Sequence, residues 1–278
     1  MKVVSSDVVK KLRDITGAGI MDCKKALLNS DCDIKKAIEE LKKMGVALAE
    51  KKFNREANEG LVNIIASSDK KRCVILEANC ETDFVARQEE FKFFVNKVSK
   101  YILFNENSNT QLLNNLLLEN FENERLELIS KLGENIFIKK FDLIVNDQGS
   151  IGFYMHELNG VSKVGSIVCF NGYNDSLAHD IAMQIVALNP EYISEQYIPL
   201  SRIESERDIL IFRAKEIHKD KSQVVLNKIV DGQINKIING LTLYGQYFIK
   251  NSKILVKDIL LENKLDIINM IRYEIISK

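Results

Sequence analysis

Proline is nearly absent from this 278-residue chain, with Pro190 and Pro199 its only two. Proline breaks helix interiors, so its scarcity excludes proline-rich linkers and favours long uninterrupted helices. An excess of either charge is also missing. Lys plus Arg number 39 and Asp plus Glu 39, for a net charge of zero. A protein that grips nucleic acid through phosphate contacts carries a basic surplus, so direct nucleic-acid binding is not expected. Cysteines are few: Cys23, Cys32, Cys73, Cys80 and Cys169. None stands in a C-x-x-C pair, which argues against a structural zinc site. An odd count fits free thiols in a reducing compartment. The start, MKVVSSDVVKKL, lacks the apolar stretch of a signal peptide. No apolar run reaches the roughly 18 residues that span a bilayer. The expectation is a soluble cytoplasmic protein with no membrane partner. With 46% hydrophobic residues, the chain has enough apolar side chain to build a core.

Motifs of enzyme chemistry are lacking too. No G-x-x-x-x-G-K-[ST] loop cradles a nucleotide phosphate. T-G-A-G at Thr16–Gly19 is too short for a dinucleotide fingerprint and joins two helices rather than a strand and a helix. His156, His179 and His218 have no metal-ligand spacing. The pair Glu89-Glu90 reads as a solvated helix face. The chain is therefore expected not to be an enzyme and to need no cofactor or metal. One enzymatic alternative is a Cys-His nucleophile built on Cys80, against the commoner state of a structural thiol.

What is there is organised in segments. Residues 1–45 read as three short helices: Val8, Leu12 and Ile15 form the first stripe and Gly17 its stop, and Asp22 caps the second. Asp31 or Asp33 caps the third, whose stripe is Ile34, Ala37, Ile38, Leu41 and Met44, with Gly45 ending it. Such a small unit has a thin core and is suited to binding. Residues 49–59 read as its link to the next domain. GLVNIIAS and RCVILEAN then alternate as strands around a turn at SSDKK, a helical stretch follows to Leu132, and residues 134–145 read as a third strand. IGFYMHEL and GSIVCFN repeat the hairpin. A shift of 92 positions sets Gly60 on Gly152, Ile75 on Ile167, Asn79 on Asn171 and Asp83 on Asp175. This points to a duplicated unit of helices on a small antiparallel sheet, the alternative being two unrelated hairpin-plus-helix units. Between about Ser201 and Asn239 the apolar residues Ile203, Ile209, Phe212, Ile217, Val224, Leu226, Ile229, Ile234 and Ile237 recur at helical spacing, broken at His218–Ser222. That pattern predicts a helical hairpin inserted in the second unit. LTLYGQYFI is expected to return to the sheet and IINMIRYEI to end it.

The resulting fold class is α+β. It comprises an N-terminal three-helix domain (1–54), a core subdomain 1 (55–145), a core subdomain 2 (146–200 and 240–278) and an inserted helical hairpin (201–239). Within it, NCETDFVARQEEF at 79–91 stands at a strand-to-helix corner. Thr82 or Asp83 is a good cap for a helix running on through Phe91 and Phe94. Phe84 then falls in the first turn. Either it is a core residue stapling helix to sheet, for a gain of about 1.5–3 kcal/mol, or it projects as an anchor into a partner's pocket with Asp83 beside it.

These segments resemble the elongation factor Ts family. LRDITGAGIMDCKKAL (12–27) and NCETDFVARQEEF (79–91) are similar to its two signatures, KLGENIFIKKF (131–141) to a third, and HDIAMQIVALNPEYI (179–193) to the segment leading into the family's helical hairpin. The resemblance covers nearly the whole chain. It implies an N-terminal ubiquitin-associated-like domain, two similar α+β subdomains with small antiparallel sheets, and a hairpin through which a homodimer would form. It implies a guanine-nucleotide exchange factor whose partner is elongation factor Tu, GDP-bound or nucleotide-free. Thr82, Asp83, Phe84 and Val85 are the implied partner-binding residues, disturbing the partner's magnesium site. Leu12, Ile20 and Met21 are those implied for the N-terminal domain. Ile20 stands where the family often has methionine, and packing within the three-helix unit is the alternative for Ile20 and Met21. The resemblance decides for Phe84 as anchor, and in the first subdomain only, because Ser176 takes its place after Asp175. Many members continue past the last strand with a C-terminal helical module. This chain stops at Lys278, so that contact is expected to be missing. Among the alternatives, a ribosome or nascent-chain binding module would use the small helical domain and have no need of Asp83-Phe84 at a corner.

Overall fold

The computed structural model describes residues 4–105, 109–218 and 221–276. Within the predicted hairpin break, Lys219 and Asp220 lie outside the described residues. Among the described residues the fold is α+β, with ten α-helices and three small sheets. The chain divides into two compact units. One comprises Met1–Val145, Met155–Gly165 and Tyr273–Lys278, the other Asn146–Tyr154 and Ser166–Arg272.

The first unit begins with α1 (Ser6–Thr16), α2 (Ile20–Asn29) and α3 (Ile34–Lys52). Ser5 caps α1, and Gly17 ends it at φ 68°, a left-handed stop that glycine adopts without penalty. Gly19, not Asp22, precedes α2. Asp33 caps α3 by accepting from the amides of Lys35 and Lys36. The core of these helices is Val9, Leu12, Ala18, Cys23, Ala26, Leu27, Ala37 and Leu41. Ile15, expected inside, is exposed, and Val9 takes the inward place. Gly45 does not end α3. A Cβ there would lie 3.4 Å from the Leu126 carbonyl oxygen, so the missing side chain lets α3 pass close to a later helix instead. The expected link at 49–59 is therefore partly helix.

Strands β1 (Glu59–Ala66), β2 (Arg72–Cys80) and β3 (Phe137–Val145) form an antiparallel sheet in that order. Between β2 and β3 run α4 (Asp83–Ala86), α5 (Glu89–Phe104) and α6 (Thr110–Leu132). The helix expected from the corner through Phe94 is thus two helices, parted where Gln88 turns to extended backbone. One face of β2 (Val74, Leu76, Ala78, Cys80) packs with Phe91, Phe94, Val95, Val98 and Ile102 of α5 and with α6. Each of the two buried phenylalanines contributes about 1.5–3 kcal/mol. Glu77 on the other face is buried. A bulge between Glu77 and Ala78 brings both Lys139 (2.8 Å) and Lys140 (3.5 Å) to its carboxylate, which compensates the charge.

The next strands are β4 (Ile151–Leu158) and β5 (Val161–Phe170), followed by α7 (Asp175–Leu188). The hairpin helices α8 (Leu200–Ile217) and α9 (Gln223–Leu241) pack through Leu210, Ala214, Leu226, Val230, Ile234 and Ile238. Ile209 and Phe212, read as part of the inward stripe, are exposed, because α8 carries apolar residues on two faces and Leu210 wins the seam. The return segment does not rejoin the sheet. It makes a separate ribbon, β6 (Tyr247–Phe248) with β7 (Asn251–Leu255), followed by α10 (Val256–Glu262). Buried Gln184 of α7 explains this. Its amide donates to the Tyr247 carbonyl and accepts from the Ile249 amide, satisfying backbone groups that a ladder would otherwise claim. Only β8 (Ile267–Glu274) joins β4 and β5, in the order β4–β5–β8. The 92-position shift carries β1 onto β4 end for end. It also sets Thr82 and Asn174, the caps of α4 and α7, in register.

Candidate functional site at the strand-to-helix corner

Strand β2 runs fully buried to Cys80, and the chain then turns outward. Thr82 caps α4 from extended backbone, its hydroxyl accepting from the Val85 amide at 3.4 Å. The single turn of α4 sends its next two side chains in different directions. Val85 goes into the core with Ala86, whereas Phe84 is 72% exposed. Asp83 is half-buried and pairs with Arg87 one turn on, at 2.8 Å. The four residues implied as one contact set therefore divide. Phe84 and the edge of Asp83 face outward, Thr82 builds the cap, and Val85 anchors it. The core-staple reading of Phe84 is corrected, because Val85 and Ala86 take the inward face of this turn and leave Phe84 on the outer one.

The corner is braced from a segment whose role sequence reading missed. Gly133 ends α6 at φ 77°. Glu134 follows, and its carboxylate accepts from the amides of Glu81 (3.0 Å) and Thr82 (2.9 Å) and from the Thr82 hydroxyl (2.6 Å). The carboxylate of Glu81 accepts in return from the Asn135 amide at 2.7 Å. Two chain segments thus exchange carboxylates for backbone amides, which are strong charge-assisted bonds. The Asn135 side chain donates to the carbonyls of Phe53 and Arg55, Asn79 donates to that of Ala57, and Lys52 donates to the Gly133 carbonyl. Gly-Glu-Asn thus ties the corner and the end of α3 together. The signal was present in KLGENIFIKKF, which carried a family likeness but no periodicity that would assign its polar residues.

Cys80 is inert. It is fully buried, and its thiol donates to the Thr82 carbonyl at 3.1 Å. Burial, reinforced by the nearby Glu134 and Glu59 carboxylates, pushes its pKa up to about 12. Nucleophilic cysteines need the opposite environment, so this setting is that of a structural thiol. In the three-helix portion, Ile20 (52% exposed) and Met21 (70%) begin α2 and face outward. Leu12 is wholly buried against Cys23 and Leu27 and offers no surface, which corrects its place in the implied contact set.

In the second unit the corresponding corner is built differently. Asn174 caps α7, and Asp175 accepts from the Ser150 hydroxyl at 2.6 Å, so the acid is drawn inward. Ser176 takes the place of Phe84.

The family described as Elongation factor TS matches residues 81–276, from the corner to the end of the last strand. The chain belongs to the elongation factor Ts family. It is 40% identical to elongation factor Ts of Legionella pneumophila (strain Paris), over 99% of this chain and 93% of that protein. It is 38% identical to that of Hydrogenovibrio crunogenus, over 98% and 91%. It is 39% identical to that of Aquifex aeolicus, over 95% and 94%. Membership makes it a translation elongation factor, acting in protein biosynthesis. Among the described residues of this elongation factor Ts relative, no helix is long and apolar enough to cross a membrane.

Proposed function

We propose that this chain is a guanine-nucleotide exchange factor that binds elongation factor Tu in its GDP form, disturbs its magnesium site and promotes GDP release so that GTP can enter. In this reading residues 1–54 are the ubiquitin-associated-like domain, the two sheets with their helices are similar core subdomains, and 201–239 is the hairpin insertion. The observation that carries it is Phe84: a large aromatic held out in water on a braced corner. Leaving such a side chain wet forgoes the gain of burial within its own fold, which a partner's pocket restores on binding.

The mechanism asks no acid, base or metal of this chain. Phe84 wedges between side chains of the partner beside the helices that hold magnesium, with Asp83 next to it. Magnesium bridges protein and phosphate oxygens and neutralises their charge. Shifting its ligands leaves phosphate charge poorly compensated, and GDP departs faster. The coupling is reciprocal: GDP weakens the factor's binding by the factor by which it is itself weakened. Ile20 and Met21 supply a second, apolar contact from the three-helix domain. The supporting test is release of a fluorescent GDP analogue from elongation factor Tu. The unmodified protein is expected to accelerate it, and Ile20→Ser with Met21→Ser to raise the concentration needed for half the effect. A half-saturating concentration unchanged by that double substitution would remove the three-helix domain from the interface.

A further inference from the structure

We infer that Glu134 is a positioning residue for exchange: it holds the corner in the one conformation that presents Phe84. This rests on the exchange reading above. The geometry is specific. Both oxygens of one carboxylate are engaged by the two residues before the helix, Oε2 by the amides of Glu81 and Thr82 and Oε1 by the Thr82 hydroxyl. Because the Thr82 O–H donates to Glu134, only its lone pairs remain to meet the Val85 amide. The acid therefore orients the cap, and the cap orients the single turn that carries Phe84. A helix of four residues has no intrinsic stability to do this itself, since nucleation is unfavourable. Val85 fixes one side of that turn in the core, and Glu134 fixes the other. Glu134 lies 50 residues beyond Phe84 in the chain, on the far side of α5 and α6, and makes none of these bonds to Phe84 itself.

Without the carboxylate, the amides of Glu81 and Thr82 lose their acceptor and the hydroxyl is free to rotate. The exchange-competent corner is then populated for only part of the time, and the rate falls by that fraction. Glutamine keeps much of the brace, because its carbonyl can take the two amides while its NH₂ donates to the Thr82 oxygen.

The test is a double-mutant cycle on the full chain, reading the maximal rate of fluorescent GDP release from elongation factor Tu at saturating factor. Glu134→Ala is expected to lower that rate about tenfold. Glu134→Gln is expected to retain most of it. In a Phe84→Ala background, Glu134→Ala is expected to add less than about twofold, since it acts through a side chain already removed. Thr82→Val, which deletes the hydroxyl link and preserves shape, carries the same comparison if Glu134→Ala does not fold. An equal loss in both backgrounds would show that Glu134 acts apart from Phe84 and would overturn the inference. A Phe84→Ala protein as fast as the unmodified one would instead sink the exchange reading itself.

Discussion

Phe84 and Val85 are neighbours in sequence and opposites in environment, one 72% exposed and the other 7%. Their substitutions should separate function from stability. Phe84→Ala is expected to leave the free energy of unfolding within about 0.5 kcal/mol of the unmodified protein, as exposed sites do. Val85→Ala removes a buried side chain from the same turn and is expected to cost about 1–3 kcal/mol. Chemical denaturation of the two variants checks both values. At this scale the sequence placed the corner, because Cys80 ends an apolar run and Thr82 is a good cap. It left open which way Phe84 points, since one turn of helix has no period to read. Nor could it find Glu134, whose bonds to Thr82 join residues distant in the chain.

Elements were legible where one apolar face dominates and illegible where glycine or polar residues changed their meaning in packing. The strands β1, β2, β4 and β5 and the hairpin helices followed from periodicity. Gly45 read as a stop and proved a contact point, and LTLYGQYFI at 241–249 read as returning to the sheet and instead leads into a separate ribbon held by Gln184. Glycines can be tested in pairs. A Cβ at Gly152 would fall 2.1 Å from the Ala178 carbonyl oxygen, where α7 closes on β4, whereas Gly232 in α9 has nothing within 4 Å. Gly152→Ala is therefore expected to lower the melting temperature clearly. Gly232→Ala is expected to raise stability by about 0.5–1 kcal/mol through helix propensity. Equal effects of the two in thermal unfolding would show that this backbone approach has been misjudged.

For the whole molecule, the thiols set a pH limit on stability. Burial raises the pKa of Cys80 to about 12 and of Cys169 to about 11 from a usual value of 9.0, and it raises that of Cys23 as well. The folded chain keeps protons that the unfolded chain gives up above about pH 9. Folding stability is therefore unaffected by these thiols below that pH and falls as the pH climbs from about 9 towards 12. The phenols of half-buried Tyr244 and buried Tyr273, also raised by desolvation, act in the same direction. Denaturation midpoints between pH 8 and 11 check the sign. In alkylation at pH 8, Cys32, the exposed cysteine, is expected to react in the native protein and Cys80 only on unfolding.

Of the two capped corners that the 92-position shift sets in register, the first carries Phe84 in its opening helical turn where the second carries Ser176, and the proposed exchange is assigned to the first. Stopped-flow release of a labelled GDP from elongation factor Tu tests the assignment most directly, comparing no factor, the unmodified protein and Phe84→Ala at equal concentration. Fast release with the unmodified protein and clearly slower release with a fully folded Phe84→Ala is the expected result. No acceleration by the unmodified protein, or equal acceleration by both, would contradict it.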